Sequence, residues 1–433
     1  MRSIDELDVH GRRVLVRVDF NVPLNTDGEH PQVSDDQRIV GALQTIEELR
    51  ARGARLVLVS HLGRPKGHFD ASLSMAPVAE RLRELTHAPV TLAPAVVGEE
   101  VRALTEALHD GDMLLLENVR FEAGETSNDP AFAHALAELA DVYVNDAFGV
   151  AHRAHASTEG VAHLLPSAAG RLLENEVHTI TGILEHPARP LVAIVGGAKV
   201  ADKIGVIDRF LQVADVVMIG GAMCFPFLCA QGHKVGKSLC EDDDTTHARK
   251  LLEHASDTHT PQPGRARLLV PSDLVIGDRL ADDAQHRVLA GVEVPAGWMG
   301  LDIGPETVAR YDREIQRAGT VFWNGPMGAF EHEPFASGTR AIAQSVARAP
   351  GLTVVGGGDS AAALAHFGLE HEVDFLSTGG GATLELVEGA VLPGVAALEG
   401  AGVADGAGVA EGAEVADGAG VAGRAGVAGG VGS

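Results

Sequence analysis

Cationic and hydrogen-bonding side chains follow several apolar runs in the first half of the chain, where buried strands would end. They are Asp19 and Asn21 in RVDFNVP, His61 and Arg64 in SHLGRP, Arg120 in LLENVRF and Arg153 in AFGVAHRAH, with Arg38 near a helix start. Carboxyl ends of parallel strands face the ligand crevice of an open α/β sheet, so we expect these groups to converge. A single arginine is more often part of a surface ion pair. Several together favour a small, multiply anionic substrate, because each guanidinium can clamp a phosphate or carboxylate with two hydrogen bonds.

The second half contains two strand–glycine–helix junctions, VAIVGGAKVADK at 192–203 and TVVGGGDSAAALAHF at 353–367. Glycines let backbone N–H groups converge on an anion, and the following helix adds its positive end, so each junction is a candidate phosphate site. Two such sites indicate a polyphosphate. Lys199 and Lys203, two of only six lysines, are spaced four apart, which predicts one helix face. They fit a phosphate-binding pair, although a solubilising helix face has the same pattern.

Asp359 directly follows the three glycines of the second junction. A carboxylate beside phosphate oxygens fits a bridging Mg²⁺, which binds through one or two carboxylates together with substrate phosphates. An N-cap is the alternative, because aspartate is also preferred there. Two other nucleotide fingerprints fail. GHKVGKS at 232–238 has one residue too few between its glycines for a P-loop, and neither junction carries GxGxxG.

The elements that must position these residues form an alternating pattern. Short apolar runs alternate with helical periodicity over 12–398, which predicts an α/β fold with mainly parallel sheets. The predicted strands are 13–20, 55–60, 112–117, 141–145, 191–195, 215–219, 320–323 and 352–355.

Two predicted helices matter for the organisation of the chain. The first lies between the first two strands, with Asp35 or Asp36 as N-cap and Gly53 as the stop. The second, at 171–187, connects two alternating blocks, and we expect the two domains to be joined there. From Gly400 the sequence becomes an imperfect six-residue Gly/Ala/Val repeat. Such a tract lacks large side chains to offset ordering entropy, so it predicts a mobile tail.

Composition narrows the function classes further. A length of 433 residues suggests two or three domains. The formal charge of -26 would repel nucleic acid and anionic membranes. Three cysteines without metal-ligand spacing support neither a disulfide framework nor a zinc site, and the charged amino terminus carries no export signal, so we expect a reducing cytoplasm. The acidic, lysine-poor balance resembles that of proteins from high-salt cytoplasm.

Taken together, the segments resemble those of phosphoglycerate kinases, in an acidic, haloarchaeal-type form. RVDFNVP, SHLGRP, LLENVRF, DVYVNDAFGVAHRAH, GGAKVADK, WNGPMGAFE, GGGDS and STGGGATLELVEG occur in the expected order over 12–398. The resemblance implies two Rossmann-like domains joined by a hinge helix. It places an N-terminal domain at 1–170 plus 389–398, a hinge helix and nucleotide domain at 171–388, and a tail at 399–433. It also implies a monomer with no nucleic-acid or membrane partner.

The resemblance also assigns residues to the ligands. For 3-phosphoglycerate it implies Asp19, Asn21, Arg38, His61, Leu62, Gly63, Arg64, Arg120 and Arg153. For the nucleotide it implies Lys203, Asn324, Glu331, Gly357, Gly358, Asp359 and Ser360, with Asp359 as the ligand of Mg²⁺. Arg38, Lys199 and Lys203 would be catalytic. Ser360 stands where many relatives carry threonine, a change that keeps the hydroxyl.

The implied reaction is reversible phosphoryl transfer between ATP and the carboxylate of 3-phosphoglycerate, in glycolysis and gluconeogenesis. A carboxylate is ionised at neutral pH, so no general base is needed, and positioning and electrostatics must lower the barrier. Two other hypotheses stay open at this point. A nicotinamide-dependent oxidoreductase would need the missing dinucleotide fingerprint. A catalytically silent anion-binding relative would have lost a charge among Arg38, Lys199, Lys203 and Asp359, and all four are present.

Overall fold

The computed structural model describes residues 1–26, 28, 31–255 and 266–400. The repeat that follows residue 400, where the mobile tail is predicted, lies outside them. In the described part the strands are β1 Arg13–Arg17, β2 Leu24–Asn25, β3 Gln32–Val33, β4 Arg55–Val59, β5 Val90–Leu92, β6 Met113–Leu115, β7 Val142–Asn145, β8 Ser167–Ala169, β9 Leu191–Val195, β10 Val216–Ile219, β11 Arg267–Leu269, β12 Leu274–Gly277, β13 His286–Leu289, β14 Met299–Ile303, β15 Thr320–Asn324, β16 Leu352–Val355 and β17 Phe375–Leu376.

Helices flank these strands throughout the described residues. They are α1 Gln37–Ala51, α2 Ala76–Thr86, α3 Glu99–Glu106, α4 Ala123–Thr126, α5 Pro130–Ala137, α6 Arg171–Glu185, α7 Ile204–Val213, α8 Cys224–Ala230, α9 Asp242–His254, α10 Pro305–Ile315, α11 Ser337–Ala347, α12 Gly358–Phe367, α13 Gly381–Glu388 and α14 Pro393–Gly400.

Two six-stranded sheets form the framework, in the orders β5-β6-β4-β1-β7-β8 and β11-β10-β9-β15-β16-β17. Their strand pairs are parallel throughout. Both sheets are buried between helices, as expected for parallel strands. The predicted fold class is therefore confirmed. A smaller antiparallel sheet, β13-β12-β14, and the β2-β3 hairpin complete the strands.

Most predicted elements appear with shifted ends. The first strand ends at Arg17 rather than residue 20, and the third ends at Leu115 rather than residue 117. Helix α1 is capped by the backbone of Asp36, whose carboxylate instead accepts hydrogen bonds from Arg81. After the helix, Gly53 adopts a φ of +78°. The glycine stop is confirmed, and Asp36 takes the N-cap position without a side-chain cap.

Helix α6 is held to both sheets. At its start, the buried carboxylate of Asp146, which follows β7, accepts hydrogen bonds from the backbone N–H groups of Leu172 at 2.9 Å and Leu173 at 3.3 Å. One turn later, the buried carboxylate of Glu176 accepts from Thr378 N at 2.6 Å and from Ser377 Oγ at 2.8 Å, beyond β17. Burial raises the pKa of Asp146 to about 7 and also raises that of Glu176. The helix thus joins the end of a strand in each sheet.

The interior is continuous across α6. One apolar cluster runs from the first sheet through Leu173, Ile180 and Leu184 of the helix to the second sheet. The last helix returns to the first sheet: Gly394 N donates to Ala151 O at 2.9 Å, and Asn145 Nδ2 donates to Gly394 O at 3.3 Å. One face of each sheet therefore packs in the shared cluster, while the opposite faces pack in clusters of their own.

The three cysteines lie in or next to α8. Cys229, in the last turn of α8, and Cys240, just before α9, have Cα atoms 7.2 Å apart, and Cys224 is buried. A disulfide joins Cα atoms that are closer than this, so the absence of a disulfide framework stays a prediction. The packing of α8 beside α9 brings Cys229 and Cys240 near each other.

Candidate active site between the two sheets

Polar side chains converge beyond the ends of β1 and β4. Arg38, in the first turn of α1, forms an ion pair with Asp19 Oδ2. Asp19 Oδ1 lies 3.6 Å from His61 Nδ1, and Arg17 Nη2 donates to the same His61 nitrogen at 3.2 Å. The predicted convergence of Asp19, Arg38 and His61 at the carboxyl edge of the first sheet is thus present in the structure.

His61 is held neutral in this cluster. Its side chain is almost fully buried, and burial together with the charges of Arg17 and Arg120 holds its pKa well below the usual range. Arg38 and Arg153 act in the same direction at longer range. A neutral imidazole whose Nδ1 accepts from an arginine is suited to hydrogen bonding rather than to proton transfer at neutral pH.

The loop at 61–64 is shaped by two asparagines. Asn21 Oδ1 accepts from Gly63 N at 2.8 Å. Asn118 accepts from Leu62 N at 3.2 Å and donates to Leu62 O at 2.7 Å. Arg120 Nη1 then donates to Gly63 O at 2.8 Å. Asn21 and Arg120 therefore hold the loop of the anion site in shape as well as lining the site. Asn118 has the same role, and the sequence analysis did not identify it.

Arg120 shows the electrostatic character of this site. Burial, followed by the charges of Arg17 and Arg153, lowers its pKa to about 10. Burial and nearby cations both disfavour the charged form of a guanidinium. A bound phosphate or carboxylate would relieve that repulsion. Arg153 Nε contacts His152 Nε2 at 3.2 Å, and Arg64 is exposed at the end of the loop.

Arg17 is the main residue that the sequence analysis missed. It lies inside β1 and is fully buried. Its Nε donates to Ser157 Oγ at 2.9 Å, and Ser157 Oγ donates to the buried Glu125 at 2.7 Å. Burial favours a higher pKa for Glu125, but His155, whose Nδ1 lies 3.6 Å from Glu125 Oε1, and the charge of Arg17 keep it below its usual range. An arginine within an apolar strand run was the signal that could have found this network, since a buried charge needs a partner.

Lys203 occupies the first glycine junction of the second sheet. Its side chain turns back over the junction, and Nζ donates to Gly196 O at 2.7 Å and Asn324 O at 3.3 Å. Burial lowers its pKa to about 8, against the opposing charges of Asp359 and Asp202. This ammonium lies at the carboxyl ends of β9 and β15, where the sequence analysis expects a phosphate.

The prediction of a shared helix face for Lys199 and Lys203 is wrong. A bend occupies 197–200, a 3₁₀ turn spans Ala201–Lys203, and α7 begins only at Ile204. Gly197, with a φ of +116°, favours this bend over a helix start. Lys199 is exposed while Lys203 is half-buried, so the two ammonium groups occupy different environments.

The second junction is fixed by hydrogen bonds from β15. Asn324 Nδ2 donates to Gly356 O at 2.7 Å, and Gly325 N donates to Ser360 Oγ at 2.5 Å. Asn324 is buried, yet its Oδ1 has no hydrogen-bond partner, as expected of an acceptor that meets a ligand. A Cβ on Gly325 would lie 2.6 Å from Lys203 Nζ, so glycine is required for the close approach. Gly357 is the N-cap of α12, and Gly358 begins the helix.

A cavity of about 500 Å³ opens beside these junctions. Its walls are mainly apolar and include Phe225, Leu239 and Leu301, with Glu331 and Asp359 also in the lining. Both carboxylate residues are exposed. Asp359 is in the first turn of α12 rather than at its N-cap, so a simple capping role does not account for it. Apolar walls beside a phosphate-type junction fit a nucleoside polyphosphate.

The two sheets contribute to one narrow space around Gly149. A Cβ on Gly149 would lie 2.6 Å from Asp19 Oδ2, 3.4 Å from Thr378 O and 3.6 Å from Arg38 Nη1. The glycine loop 379–381 continues from there, with a Cβ on Gly381 3.7 Å from His152 Nε2. The absence of a side chain at 149 therefore brings the cationic cluster close to the second sheet's loop.

The structure thus places a buried arginine–histidine cluster close to two glycine junctions. Comparisons with known proteins show which family has this sequence and fold. The family model described as "Phosphoglycerate kinase" matches residues 4–390. The chain belongs to the phosphoglycerate kinase family. The phosphoglycerate kinase of Rubrobacter xylanophilus is 54% identical over 397 residues, covering 92% of this chain and 98% of that protein. That of Roseiflexus castenholzii is 52% identical over 399 residues, with the same coverage.

Solved phosphoglycerate kinase structures have the same fold. The structure from Coxiella burnetii superimposes with a TM-score of 0.81 at 40% identity, covering 92% of this chain and 98% of that one. The structure from Pyrococcus horikoshii superimposes with a TM-score of 0.78 at 28% identity and equal coverage. Phosphoglycerate kinases are phosphotransferases with a carboxyl acceptor that act in glycolysis, so the predicted enzyme class is confirmed and the oxidoreductase hypothesis is wrong.

The comparisons do not support the haloarchaeal-type resemblance. Bacterial phosphoglycerate kinases head the similar proteins, at identities of 50% or more. An acidic surface is a physical property that unrelated lineages can share, so composition alone was a poor guide to kinship.

Among the described residues, no group of three or more His, Cys, Asp or Glu side chains is placed to hold a metal ion. No single described helix is long and apolar enough to cross a membrane; α13 and α14 pass that test only as a pair bent by 64°. Much of that pair is packed in the core, including Ala382, Val387 and Leu398.

Proposed function

We propose that this chain catalyses reversible phosphoryl transfer between ATP and the carboxylate of 3-phosphoglycerate, giving ADP and 1,3-bisphosphoglycerate. The observation that carries the proposal is the crowding of Arg17, Arg120 and Arg153 around neutral His61, opposite the loop at Thr378. Such a site is suited to an anion with several oxygens. The nucleotide junction at Lys203 supplies the second anion site.

The acidic substrate is assigned to the first sheet. Asp19, Asn21, Arg38, His61, Leu62, Gly63, Arg64, Arg120 and Arg153 would bind 3-phosphoglycerate. The guanidinium groups would bind its phosphate and carboxylate, and His61 would hydrogen bond as a neutral ring. Because the attacking carboxylate is already ionised, no side chain needs to remove a proton from it.

The nucleotide is assigned to the second sheet. Asn324, Gly357, Gly358 and Ser360 would line the phosphates, and Glu331 would meet the ribose hydroxyls. The base would occupy the apolar cavity near Phe225 and Leu301. Lys203 would hold the nucleotide phosphates from the junction, while Arg38 and exposed Lys199 would contact the transferring group from opposite sides. Positioning and charge stabilisation of this kind lower the barrier to phosphoryl transfer.

The residues present fit a magnesium ion carried by the nucleotide. Asp359 offers one exposed carboxylate in the first turn of α12, close enough to Lys203 to influence its pKa. Mg²⁺ is usually bound by one or two carboxylates plus phosphates, rather than by a closed cage of side chains. When bound, the ion would neutralise phosphate charge and fix the nucleotide's orientation.

A coupled assay with 3-phosphoglycerate, ATP and Mg²⁺ tests the function directly. We expect ADP formation that depends on all three. Nucleotide binding without turnover, measured by calorimetry on the same preparation, would identify a catalytically silent relative and contradict the proposal.

We expect Asp359→Asn to weaken the binding of Mg-ATP about tenfold, which corresponds to about 1.4 kcal/mol. The amide keeps the shape but loses the charge that holds the cation. Titration of activity against Mg²⁺ at fixed ATP would measure the effect. Asp202→Asn is the matched control, because Asp202 also acts on Lys203 but has no assigned metal role. Equal magnesium dependence in parent and Asp359→Asn would remove the metal assignment.

We propose a domain organisation that follows the ligand assignments. The N-terminal domain would comprise 1–170 plus 389–398, and the hinge helix and nucleotide domain 171–388, with closure excluding water from the acyl phosphate. The attachment of α14 through Gly394 supports the return of the chain to the first domain. We also propose that the enzyme works as a cytoplasmic monomer, which size-exclusion chromatography and cell fractionation would test.

The repeat after α14 is expected to be dispensable for catalysis. Deleting 401–433 leaves the last described helix intact and removes residues that belong to neither proposed ligand site. We therefore expect unchanged kcat and KM values for both substrates in the coupled assay. A large loss of activity in the shortened chain, with its melting temperature preserved, would assign the repeat a function.

The charge of -26 predicts salt-dependent stability. Self-repulsion of an acidic surface falls as the Debye length shrinks from about 10 Å at 0.1 M salt to about 3 Å at 1 M. We therefore propose that the protein tolerates or prefers high salt. We expect its melting temperature to rise when the KCl concentration is raised from about 0.1 to about 1 M. A melting temperature that is insensitive to KCl would contradict this.

A further inference from the structure

A buried carboxylate on α9 contacts the turn that carries Lys203. Asp244, in the first turn of α9, is only 9% exposed. Its Oδ1 accepts a hydrogen bond from the backbone N–H of Ala201 at 3.1 Å. Because Ala201 begins the 3₁₀ turn Ala201–Lys203, this bond holds the turn two residues before the ammonium assigned to the nucleotide phosphates.

The stability of α9 does not account for the burial of Asp244. Carboxylates favour the first turn of a helix, because they lie near its positive end. Asp242 and Asp243 meet that preference in α9 while they stay exposed. Among the described residues, Ala201 N is the only hydrogen-bond donor to the Asp244 carboxylate, and no cation pairs with it. Burying a charged group is costly unless it is hydrogen-bonded, so the contact with the turn explains why Asp244 can face inwards.

The turn and α9 also belong to one apolar cluster. Val200, directly before the turn, is fully buried in the cluster that includes Ala248 and Leu251 of α9. Ala248 is four residues after Asp244, so the two side chains share one helix face. Apolar packing is non-directional, whereas a hydrogen bond requires a defined angle. The bond to Asp244 therefore fixes the orientation of the turn.

That orientation determines where the ammonium of Lys203 lies. Lys203 N donates to Val200 O at 2.9 Å and closes the turn, and its Nζ donates to Gly196 O at 2.7 Å. The lysine side chain is long and flexible, so the position of Nζ depends on the backbone from which it extends. Loss of the bond at Ala201 is expected to loosen this backbone while α9 and the sheet stay folded.

We propose that Asp244 is a positioning residue for phosphoryl transfer, whose carboxylate holds the turn Ala201–Lys203 so that Lys203 meets the nucleotide phosphates. Asp244 is not part of the described cavity lining, so it acts through the turn. The inference rests on the proposed function, because it assigns the phosphates to the junction at Lys203. Without the bond, nucleotide binding must also order the turn and the lysine side chain, which lowers affinity about three- to tenfold.

The test compares three substitutions in the first turn of α9, each in the full chain. Asp244→Ala removes the acceptor, and we expect it to weaken ADP binding and raise KM for ATP about three- to tenfold, with KM for 3-phosphoglycerate unchanged. Asp244→Asn keeps an acceptor oxygen and should recover most of the affinity. Asp243→Ala, the matched control, removes an exposed carboxylate of the same turn and should resemble the parent. Calorimetry gives ADP affinity, and the coupled assay gives both KM values.

Combination with Lys203→Ala shows whether Asp244 acts through that lysine. If it does, Asp244→Ala should cause no further loss of ADP affinity in the Lys203→Ala background, within about twofold. Melting temperatures check that the variants are folded. If Asp244→Ala is unfolded in the assay, Asp244→Leu takes its place, because it lacks the acceptor but fills the buried space.

Three results would overturn the proposal. They are equal ADP affinity in Asp244→Ala and Asp243→Ala, an equal loss in Asp244→Asn and Asp244→Ala, and a loss of the same size with and without Lys203. ADP binding absent in the parent would instead contradict the nucleotide assignment and the proposed function.

Discussion

Replacing Arg38 with alanine is expected to lower kcat about 100- to 1000-fold, the usual effect of removing one group that stabilises transition-state charge. The side chain is partly exposed while it pairs with buried Asp19, so its remaining N–H groups can meet a ligand. It also lies near Thr378 of the second sheet. ADP affinity should stay close to that of the parent, because the nucleotide is assigned to the opposite sheet.

Steady-state kinetics and ADP calorimetry separate these effects. Arg38→Lys keeps a positive charge without the planar fork and should recover only part of the activity. Arg189→Ala is the matched control, because it removes an exposed arginine paired with Asp215 and should change neither quantity. A melting temperature checks that unpaired Asp19 has not unfolded the variant. If kcat and ADP affinity fall by the same factor in Arg38→Ala, the assigned role is wrong.

Replacing Lys203 with alanine is expected to reduce both nucleotide affinity and turnover. The half-buried ammonium lies at the ends of β9 and β15 and donates to Gly196 O. A hydrogen bond from an ammonium to a phosphate oxygen would contribute about 1.5–3 kcal/mol. Loss of one such bond is expected to lower ADP affinity about 10- to 100-fold. Unchanged ADP affinity in Lys203→Ala would place the nucleotide elsewhere.

The lowered pKa of Lys203 adds a pH dependence with a definite sign. Because burial lowers this pKa to about 8, the free enzyme loses the ammonium charge as the pH rises through that value. Phosphate prefers the protonated form, so ADP affinity in the parent should decline above about pH 8. Lys203→Arg keeps its charge at this pH and should lack the decline. The same decline in Lys203→Arg would assign it to another group.

Where the sequence carried periodicity, it predicted the structure well. Buried parallel strands read as apolar runs, so their locations and the convergence of Asp19, His61 and Arg120 beyond them could be anticipated. The ends of the strands were less predictable. A strand ends where its backbone stops hydrogen bonding to the neighbouring strand, and the apolar run in the sequence can continue beyond that point. The antiparallel sheet β12–β14 was missed, since β13 is mostly exposed and lacks an apolar run.

The remaining errors concern long-range contacts. The spacing of Lys199 and Lys203 fits a helix, but Gly197 and the contact of Lys203 with Asn324 O fix a bend. Arg17 looked like an ordinary strand residue, because its partner Ser157 lies 140 residues further on. The proximity of Cys229 and Cys240 likewise depends on the packing of α8 against α9. Local patterns contain no information about such pairs.

Helix α6 is hydrogen-bonded to both halves of the molecule within its first two turns, and this attachment bears on the binding of the two ligands. Asp146 fixes the helix to the first sheet, and Glu176 fixes it to Thr378, beside Arg38. A displacement of Thr378 by either ligand therefore acts on a helix that both halves share. Coupling between binding sites is reciprocal. The factor by which 3-phosphoglycerate changes the affinity for ADP must then equal the factor by which ADP changes the affinity for 3-phosphoglycerate.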